Sequence, residues 1–552
     1  MTAAEKRDLW LRCPAMPEEL KLELESMDEE TIHDSFYRDL AFGTGGLRGV
    51  LGAGTNRMNV MTVAKATRGL GAYLKEQTEK PSCAISCDSR IHSRDFAELT
   101  AAVFAEMGIQ VYLFPRLMPT PMLSWAVRKL GTTAGVMITA SHNPAKFNGY
   151  KVYGSDGCQI TLEAADRILS RISAEKDLTE ELPSFKAYLE AGIIRYIPEE
   201  ITKMYYQGIM RLRVAPASCP LHVVYTPLNG AGNEPVREMM RRLGYVRADI
   251  VKEQEQPDGH FPTCPYPNPE IREAMALAIR KTLETGADLC FATDPDCDRM
   301  GAGVRKGDEV ILISGNEMGI LMLDYLCRHL KAGKDRPVVV RTIVTTEMAD
   351  ALCEKYGIEL RQVLTGFKFI GEQIGLLEKA GQRDRFLFGF EESYGYLSGT
   401  DVRDKDAVNA ALLLCDLASS LKAEGKTLLD RLEELRAEYG TFVQRLLTFE
   451  YEGEDGSNRM KAIMAALRGA QADFPEDSLR SAKRIDYAQG IGNLPKSDVL
   501  EFDMPDGLKW IVRPSGTEPK LKAYLFSHAA DRAAAEKKLD ELESIARKYC
   551  EA

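Results

Sequence analysis

The sequence predicts an α/β protein with three related mixed α/β domains plus a smaller C-terminal α+β domain around a central cleft. Three stretches, beginning at Cys83, Leu221 and Arg336, repeat the order strand, polar loop, amphipathic helix, strand. Strands that alternate with helices of about 10–15 residues are typical of βαβ units and mostly parallel sheets. Each stretch is followed by a further apolar run that ends in an unusual polar loop. We therefore expect each α/β domain to contribute one polar loop to a shared cleft.

Changes in sequence texture predict the domain boundaries. The stretch APASCP follows a helical segment, and further breaks lie near RKGDEVILISGNEMG and AEYGTFVQRLLTFEY. After Tyr451 the sequence changes to hairpin-like stretches and a closing helix, which favours a smaller α+β domain. The predicted domains are 1–205 with the first polar loop, 206–312 with the second, 313–440 with the third, and 441–552 at the C-terminal end.

Composition excludes several classes of protein. The chain has 552 residues, 45% of them hydrophobic and 28% charged, with a net charge of −11 and no long basic run. Nucleic acid is therefore not an expected partner. The apolar runs are too short to span a membrane, and the first residues lack the apolar segment of a signal peptide. Twelve cysteines without a CxxC pair indicate reduced thiols. We expect a soluble cytoplasmic protein, and its oligomeric state is not predicted.

The first polar loop, TASHNPAKFNGYK, runs from Thr139 to Lys151. It follows the apolar run AGVMI, which is typical of a buried strand, so Ser141 lies where a strand ends. Open α/β sheets bind their ligands at such strand ends. The alternative is a polar turn with an exposed serine, and the loop alone does not decide between these two interpretations.

The second loop, TDPDCDR, holds three carboxylates at a spacing of two residues: Asp294, Asp296 and Asp298, followed by Arg299. Acidic side chains this close repel one another unless a hard cation gathers them, and carboxylate oxygens suit Mg²⁺ best. An EF-hand would need glycine and glutamate where Arg299 and Arg305 stand. The alternative is a solvated acidic turn, but the apolar stretch ADLCFA leads directly into the loop. We therefore predict a catalytic magnesium loop with positions left open for substrate oxygens.

Two glycine-containing stretches have the composition of anion-binding loops. RPSGTEPK, from Arg513 to Lys520, combines a guanidinium, two hydroxyls and backbone amides exposed by glycine, which can surround a phosphate. A hairpin turn is the alternative for this stretch. FGTGGLRGV, which contains Arg48, matches neither the dinucleotide-binding nor the P-loop spacing. Either stretch alone is weak evidence of function.

Four loops in this order, TASHNP, DPDCDR, GFEESYG and RPSGTEPK, resemble the signature loops of the α-D-phosphohexomutase superfamily. FGTGGLRG, TGFKFIG and the overall length most resemble bacterial phosphoglucomutases of the phosphoglucomutase/phosphomannomutase type. The resemblance covers the chain from about Phe42 to about Tyr524. It implies an intramolecular phosphotransferase that interconverts α-D-glucose 1-phosphate and glucose 6-phosphate. A phosphoserine enzyme would form glucose 1,6-bisphosphate, which serves as intermediate and activator.

The resemblance also implies roles for residues of the first two loops. Ser141 would carry the phosphoryl group between turnovers, and His142 would shape the loop around it. One Mg²⁺ per chain would be held against a phosphoserine oxygen, where it neutralises charge during transfer. Lys151, paired with Arg48, could have the lowered pKa that a proton shuttle needs. The implied metal ligands are Ser141, Asp294, Asp296 and Asp298.

Substrate contacts are implied in the same way. Glu391 and Ser393 match a family E-x-S pair that hydrogen-bonds two ring hydroxyls. Some family members carry a histidine shortly after this pair, whereas SYGYLSG has none, so proton transfer would depend more on Lys151 and Arg48. The other implied substrate contacts are Arg299, Thr365, Gly366 and Lys405. The implied contacts of the non-reacting phosphate are Arg513, Ser515, Gly516 and Thr517.

The resemblance leaves the sugar open. The expected partner is a small phosphosugar, with glucose phosphate as the first choice, and a phosphomannomutase or phosphopentomutase acting by the same mechanism is the alternative. A further alternative, from another class, is a non-catalytic relative that binds phosphosugars or a protein partner. The intact serine and all three aspartates favour the enzyme.

Overall fold

The structure is a computed structural model that describes residues 1–552 except 44, 179–180, 216–218, 331–334, 452, 470, 472–473, 493, 516–519 and 552. The chain forms two compact units. The first consists of Met1–Val338 and Phe367–Gly425, and the second of Val339–Gly366 and Lys426–Ala552. Within the described residues, no helix is long and apolar enough to cross a membrane.

Three short helices begin the first unit: α1 (Ala3–Leu11), α2 (Glu18–Ser26) and α3 (Glu29–Phe36). Thr2 and Asp28 cap α1 and α3 with their side-chain oxygens, which accept backbone N–H groups of the first helical turn. The three helices enclose a small apolar cluster that includes Trp10 and Phe36, whose rings meet edge to face at 5.3 Å. The chain then enters the first sheet.

The first sheet has seven strands in the order β1-β2-β6-β5-β3-β4-β7. Strand β3 pairs in parallel with β4 and β5, whereas β6 runs antiparallel to β5 and β2. The strands are β1 (Phe42–Gly43), β2 (Gly46–Val50), β3 (Ser82–Cys87), β4 (Gln110–Leu113), β5 (Ala134–Ile138), β6 (Phe147–Gly154) and β7 (Ile194–Tyr196). The accompanying helices are α4 (Val60–Gln77), α5 (Ser93–Glu106), α6 (Thr120–Leu130), α7 (Leu162–Ala174), α8 (Phe185–Glu190) and α9 (Glu199–Met210).

The second sheet has five strands in the order β12-β11-β10-β8-β9. Strand β8 pairs in parallel with β9 and β10, and β10 turns back through the acidic loop to pair antiparallel with β11. The strands are β8 (Leu221–Thr226), β9 (Val246–Ile250), β10 (Leu289–Thr293), β11 (Met300–Lys306) and β12 (Glu309–Ile313). The helices are α10 (Asn233–Leu243) and α11 (Arg272–Thr285). All five residues of β10 are buried, as the apolar run predicts.

The next stretch continues the alternation of helix and strand. Its elements are α12 (Gly315–Arg328), β13 (Val338–Thr342), α13 (Met348–Lys355), β14 (Glu359–Val363), α14 (Phe367–Lys379), β15 (Phe386–Glu391), β16 (Gly395–Ser398) and α15 (Ala407–Ala423). Strands β15 and β16 form an antiparallel hairpin in which Glu391 stands opposite Gly395. Helix α15 is buried on nearly every side, which matches its continuous apolar sequence.

The C-terminal part of the second unit is an antiparallel sheet covered by helices. Its order is β17-β21-β20-β19-β18, and each neighbouring pair is antiparallel. The elements are α16 (Leu428–Tyr439), β17 (Thr441–Glu450), α17 (Gly453–Leu467), α18 (Asp477–Ser481), β18 (Lys483–Asp486), β19 (Leu500–Met504), β20 (Leu508–Pro514), β21 (Lys520–Ala529) and α19 (Arg532–Cys550). Trp510 and Leu539 belong to its core. The predicted fold class, mixed α/β domains followed by an α+β domain, is confirmed.

Candidate active site

Ser141 lies in the loop that connects β5 to β6. It is 7% exposed, so the alternative of an exposed turn serine is wrong. Its backbone is left-handed, with φ 54°, a conformation that costs a residue with a Cβ roughly 1 kcal/mol or more. The backbone N–H of Ser141 donates to Oγ1 of Thr139 at 2.8 Å, and its Oγ donates to Oδ2 of Asp294 at 2.8 Å. The strained loop therefore directs the serine hydroxyl at the acidic loop.

The acidic loop gathers three carboxylates at the end of β10. Asp294, Asp296 and Asp298 are at most 1% exposed, so a solvated acidic turn is wrong for this stretch. One oxygen from each lies within 4.8 Å of the others. Burial and the neighbouring carboxylates raise the pKa of Asp294 well above its ordinary value, and the pKa of Asp298 is raised for the same reasons. The ionised forms of these carboxylates are therefore strongly disfavoured by burial and by their mutual repulsion.

Several groups hold this loop in place. Oδ1 of Asp294 accepts the backbone N–H groups of Asp298 and Arg299 at 3.1 and 3.0 Å. Oδ2 of Asp296 accepts the hydroxyl of Thr120 and the ammonium of Lys151, each at 2.8 Å. Burial opposes the charge of Asp296, but Lys151 outweighs it and lowers the pKa of this carboxyl. Asp296 is therefore the member of the cluster whose charged form is best stabilised.

The oxygens left over fit a hard divalent cation. Among the described residues, Oδ1 of Asp296 and both carboxylate oxygens of Asp298 accept no hydrogen bond although all three are buried. An uncompensated buried carboxylate oxygen costs free energy, and a cation bound by oxygen ligands removes that cost. The metal-binding donors grouped here among the described residues are three carboxylates, and this donor set suits Mg²⁺ better than a soft metal.

The charged groups around Lys151 differ from those expected. Its ammonium lies 2.8 Å from Asp296 and 3.6 Å from Asp298, while Arg48 is an exposed residue of β2 opposite Gly149. Burial disfavours the charged ammonium, but the two carboxylates outweigh it and raise the pKa of Lys151. The expected lowering of this pKa by Arg48 is therefore wrong, because acidic groups surround the ammonium.

His142 is partly buried beside the serine. Its Nδ1 lies 3.3 Å from Oγ of Ser141, and its ring meets the ring of Tyr266 edge on at 6.0 Å. Burial, Arg299 and Arg48 hold the pKa of His142 well below its ordinary value. The imidazole is therefore neutral at physiological pH, and a neutral ring next to a hydroxyl can donate or accept a hydrogen bond.

The β15–β16 hairpin adjoins the acidic loop. Arg299 forms a backbone bridge with Gly395, and the N–H of Met300 donates to the carbonyl of Tyr394 at 3.1 Å. Glu391, at the end of β15, is 4% exposed, and Ser393 is half-buried in the turn. The predicted sugar-binding loop therefore lies beside the end of the predicted metal loop.

Two positively charged side chains complete this side of the cluster. Nζ of Lys405 is 3.1 Å from Oδ2 of Asp298 and 3.1 Å from Oδ1 of Asp404. Arg299 donates from Nη1 to Glu270 at 2.7 Å. Both were expected as substrate contacts, and the structure places Lys405 directly on the acidic cluster.

The remaining predicted residues belong to the second unit and are described there by themselves. Thr365 and Gly366 follow β14, and Gly366 has φ 120°, which favours glycine. Arg513 lies on β20, and the N–H of Ser515 donates to the carbonyl of Lys520 at 2.7 Å. The RPSGTEPK stretch therefore connects the hairpin strands β20 and β21. Gly516 and Thr517 lie outside the described residues.

Sequence reasoning missed three residues that hold the site. Thr120, at the start of α6, anchors Asp296 through its hydroxyl and also through its N–H, which donates to the carbonyl of Asp296 at 2.9 Å. Arg90 and Asp88 follow β3 and contact the Ser141 loop. Their signal was the polar stretch CDSR directly after a buried strand, a position where ligand-binding loops occur.

The fold and this site define a multidomain α/β protein with a buried serine directed at a carboxylate cluster. Four domain models of one family match the chain: phosphoglucomutase/phosphomannomutase α/β/α domain I at residues 39–179, domain II at 203–307, domain III at 314–439, and the C-terminal domain at 455–543. The chain belongs to the phosphoglucomutase/phosphomannomutase family.

Individual relatives agree over most of the chain. A phosphoglucomutase of Staphylococcus aureus is 36% identical over 532 residues, which cover 94% of this chain and 95% of that protein. A phosphoglucomutase of Staphylococcus saprophyticus is 36% identical over 513 residues, 91% of this chain and 92% of that protein.

Solved structures agree in fold. The open form of parafusin, a phosphoglucomutase from Paramecium, has a TM-score of 0.70 at 17% identity and covers 93% of this chain and 96% of its own. A phosphomannomutase of Thermus thermophilus, described as putative, has a TM-score of 0.67 at 20% identity, and the match covers 92% of this chain and 99% of that one.

Proposed function

We propose that this protein reversibly interconverts α-D-glucose 1-phosphate and glucose 6-phosphate, with Ser141 as the residue that carries the transferred phosphoryl group. One observation carries the proposal: Oγ of Ser141 donates to Asp294 at 2.8 Å within a buried cluster of three carboxylates. The family and the named activity of the staphylococcal relatives support the reaction class. In this proposal the protein's partner is a small phosphosugar substrate, and its expected location is the cytoplasm.

The proposed chemistry is balanced within the chain and its substrate. In the first half-reaction, the bond between phosphorus and Oγ of Ser141 breaks while phosphorus bonds to the free hydroxyl oxygen of the sugar monophosphate. The proton of that hydroxyl ends on Oγ of Ser141, and the product is glucose 1,6-bisphosphate. After the bisphosphate turns round, its other phosphoryl group returns to Ser141, and the serine proton ends on the released sugar oxygen.

The proposed metal is Mg²⁺, held by Asp294, Asp296 and Asp298 with an oxygen of the Ser141 side chain. When bound there, the ion would neutralise the charge of the transferred phosphoryl group. Support comes from the three carboxylate oxygens of Asp296 and Asp298 that are buried without a hydrogen bond in the described part of the chain. The chain's own cations supply further neutralisation: Lys151 and Lys405 reach the same cluster at 2.8 and 3.1 Å. We propose that Arg48 and His142, together with Ser141 and Lys151, are the catalytic residues.

Substrate recognition is proposed from the remaining loops. Glu391 and Ser393 would bind two ring hydroxyls, since a carboxylate and a hydroxyl can serve a sugar that binds in two orientations. The further proposed sugar contacts are Arg299, Thr365, Gly366 and Lys405. The proposed contacts of the distal phosphate are Arg513, Ser515, Gly516 and Thr517. The domain boundaries 1–205, 206–312, 313–440 and 441–552 likewise stand as proposals.

The direct test uses the purified protein with glucose 1-phosphate, a trace of glucose 1,6-bisphosphate and Mg²⁺. We expect glucose 6-phosphate to form, and parallel assays with mannose 1-phosphate and ribose 1-phosphate to rank the three sugars. Ser141→Ala should retain its circular dichroism spectrum and lose at least about 10³-fold in kcat. The exposed Ser26→Ala on α2 is the matched control and should be fully active.

Intact-mass measurement gives a second readout of the same proposal. Wild-type protein incubated with glucose 1,6-bisphosphate should gain the mass of one phosphoryl group, and Ser141→Ala should not. Full mutase activity in Ser141→Ala would contradict the mechanism. Absence of turnover with all three sugars in the wild-type protein would instead favour the non-catalytic relative.

A further inference from the structure

Arg90 is a buried arginine whose guanidinium holds the backbone of the Ser141 loop. Its Nη2 donates to the carbonyl of Ser141 at 2.5 Å and also to the carbonyl of Asn143. Its Nη1 donates to the carbonyls of Pro144 and Phe147 at 2.9 and 3.0 Å. Four backbone carbonyls of one loop therefore converge on one side chain that is itself only 3% exposed.

A second set of hydrogen bonds, through Asp88 and Thr139, holds the backbone on the other side of Ser141. Oδ2 of Asp88 lies 3.4 Å from Nε of Arg90 and accepts the hydroxyl of Thr139 at 2.6 Å. Oγ1 of Thr139 in turn accepts the N–H of Ser141 at 2.8 Å. The peptide groups before and after Ser141 are therefore both held, one through Thr139 and one through Arg90.

The Arg90 side chain is fixed by further contacts within the first unit. Its guanidinium carbon lies 5.1 Å from the ring centre of Phe261, a cation–π distance. Its backbone forms a bridge with Gly259, where an added Cβ would come within 2.4 Å of the backbone nitrogen of Ile91. The guanidinium and the backbone of Arg90 are therefore each held by contacts outside the Ser141 loop.

This support explains how a serine keeps a left-handed backbone. The φ of 54° is unfavourable for serine, so the conformation persists only where surrounding contacts impose it. Two held peptide groups fix φ and ψ at this position, and these angles determine where Oγ points. In this conformation Oγ is 2.8 Å from Asp294.

We propose that Arg90 is a positioning residue of the phosphoryl transfer: together with Asp88 and Thr139 it clamps Ser141 in the left-handed conformation that aims its Oγ at the carboxylate cluster. The proposal rests on the proposed function of Ser141 and adds the source of its orientation. Arg90 acts through the loop backbone, since its guanidinium donates hydrogen bonds to four backbone carbonyls and forms an ion pair with Asp88.

Arg90→Lys keeps the positive charge beside Asp88 but cannot bond four carbonyls from one planar group. A nucleophile displaced by about 1 Å loses roughly 10²-fold in rate. We therefore expect kcat for glucose 1-phosphate to fall about 30- to 300-fold while KM changes less than about threefold, because the sugar-binding groups are elsewhere. The rate of Ser141 phosphorylation by glucose 1,6-bisphosphate should fall by the same factor. A loss of folded protein would lower the fraction of chains that can be phosphorylated, whereas a displaced serine lowers the rate at which every chain is phosphorylated.

The matched control is Arg213→Lys. Arg213 is a partly buried arginine that binds Asp416 through two nitrogens, at 2.9 and 2.8 Å, and it follows α9 in the chain, outside the Ser141 loop. This variant should keep the wild-type kcat and phosphorylation rate. Both variants are compared by circular dichroism and thermal unfolding before the kinetics.

The outcomes separate the two proposals. If wild type is active and Arg90→Lys matches Arg213→Lys in kcat and in phosphorylation rate, Arg90 does not position the serine. If Arg90→Lys does not fold, Thr139→Val decides, because it removes the hydroxyl that joins Asp88 to the N–H of Ser141 and keeps the side-chain shape. A wild-type phosphorylation rate in folded Thr139→Val overturns the clamp, and a fall of at least about tenfold supports it. A wild-type protein that is never phosphorylated refutes the proposed function itself.

Discussion

Gly230 supports the acidic loop from a neighbouring loop that carries none of its carboxylates. It follows β8, and the N–H of its neighbour Ala231 donates to the carbonyl of Pro295 at 2.8 Å. A Cβ added at Gly230 would lie 2.5 Å from Cα and 2.8 Å from the carbonyl oxygen of Pro295. Pro295 stands between Asp294 and Asp296, so Gly230→Ala tests whether their positions matter.

The size of the effect follows from these distances. An ordinary contact of a Cβ begins near 3.4 Å, so the acidic loop or the Gly230 loop has to move by roughly 1 Å. Both contacted groups are backbone, and no flexible side chain can absorb the overlap. Displacing metal ligands or their supports by this amount typically costs about 10- to 100-fold in metal affinity or activity. We expect Gly230→Ala to lower kcat by this factor and to raise the half-maximal Mg²⁺ concentration about tenfold.

The assay is mutase activity of metal-stripped protein as a function of added Mg²⁺. Gly375→Ala on α14 is the matched control, because among the described residues its new Cβ would meet only Nη1 of Arg403, at 3.7 Å. The control should keep the wild-type Mg²⁺ dependence. If Gly230→Ala folds and also keeps the wild-type kcat and Mg²⁺ dependence, the reasoning that links this glycine to the carboxylates is refuted.

Two further predictions concern the other loops. Burial and the charge of Glu391 raise the pKa of Glu392 to about 8, so the folded protein retains a proton that the unfolded chain loses near 4.5. The contribution of Glu392 to the stability of the fold is complete at low pH and is lost as the pH rises through 8. The melting temperature of Glu392→Gln should therefore rise relative to that of the wild type between pH 6 and pH 9. A constant difference between the two melting temperatures would contradict the raised pKa. Arg513→Lys should lower kcat/KM about 10- to 100-fold, because lysine cannot offer a bidentate fork to a phosphate. Ser141 should remain phosphorylatable in that variant, and an unchanged kcat/KM would mean that RPSGTEPK is only a hairpin connection.

The sequence predicted the fold class and the acidic loop well because both depend on local pattern. The alternation of strands and helices is visible over tens of residues, and it determines the class of the first two sheets. The spacing of Asp294, Asp296 and Asp298 already implied that a loop brings the carboxylates together. Their burial followed from the strand ADLCFA, and every residue of β10 is indeed buried.

The environment of Lys151 could not be predicted, because its partners are far away in the sequence. Asp296 is separated from it by 145 residues, and the family resemblance paired Lys151 with Arg48 instead. The shift of a pKa by a nearby charge depends on distances of a few ångströms. Choosing the wrong charged partner for Lys151 therefore reverses the expected direction of its pKa shift. Here the carboxylates raise the pKa that a neighbouring arginine would have lowered.

The residues that orient the site were hidden for a related reason. Ser141 and the aspartates belong to types whose chemistry is recognisable in a short motif, whereas Arg90 and Thr120 act by hydrogen bonds to groups 51 and 176 residues away. Nothing in an arginine after a strand distinguishes a surface charge from a buried clamp. The distinction depends on four carbonyls that converge only after β3, β5 and β6 have paired. Motifs therefore identify the groups that react, and folding determines the groups that aim them, so substitutions of the second kind should affect kcat more than binding.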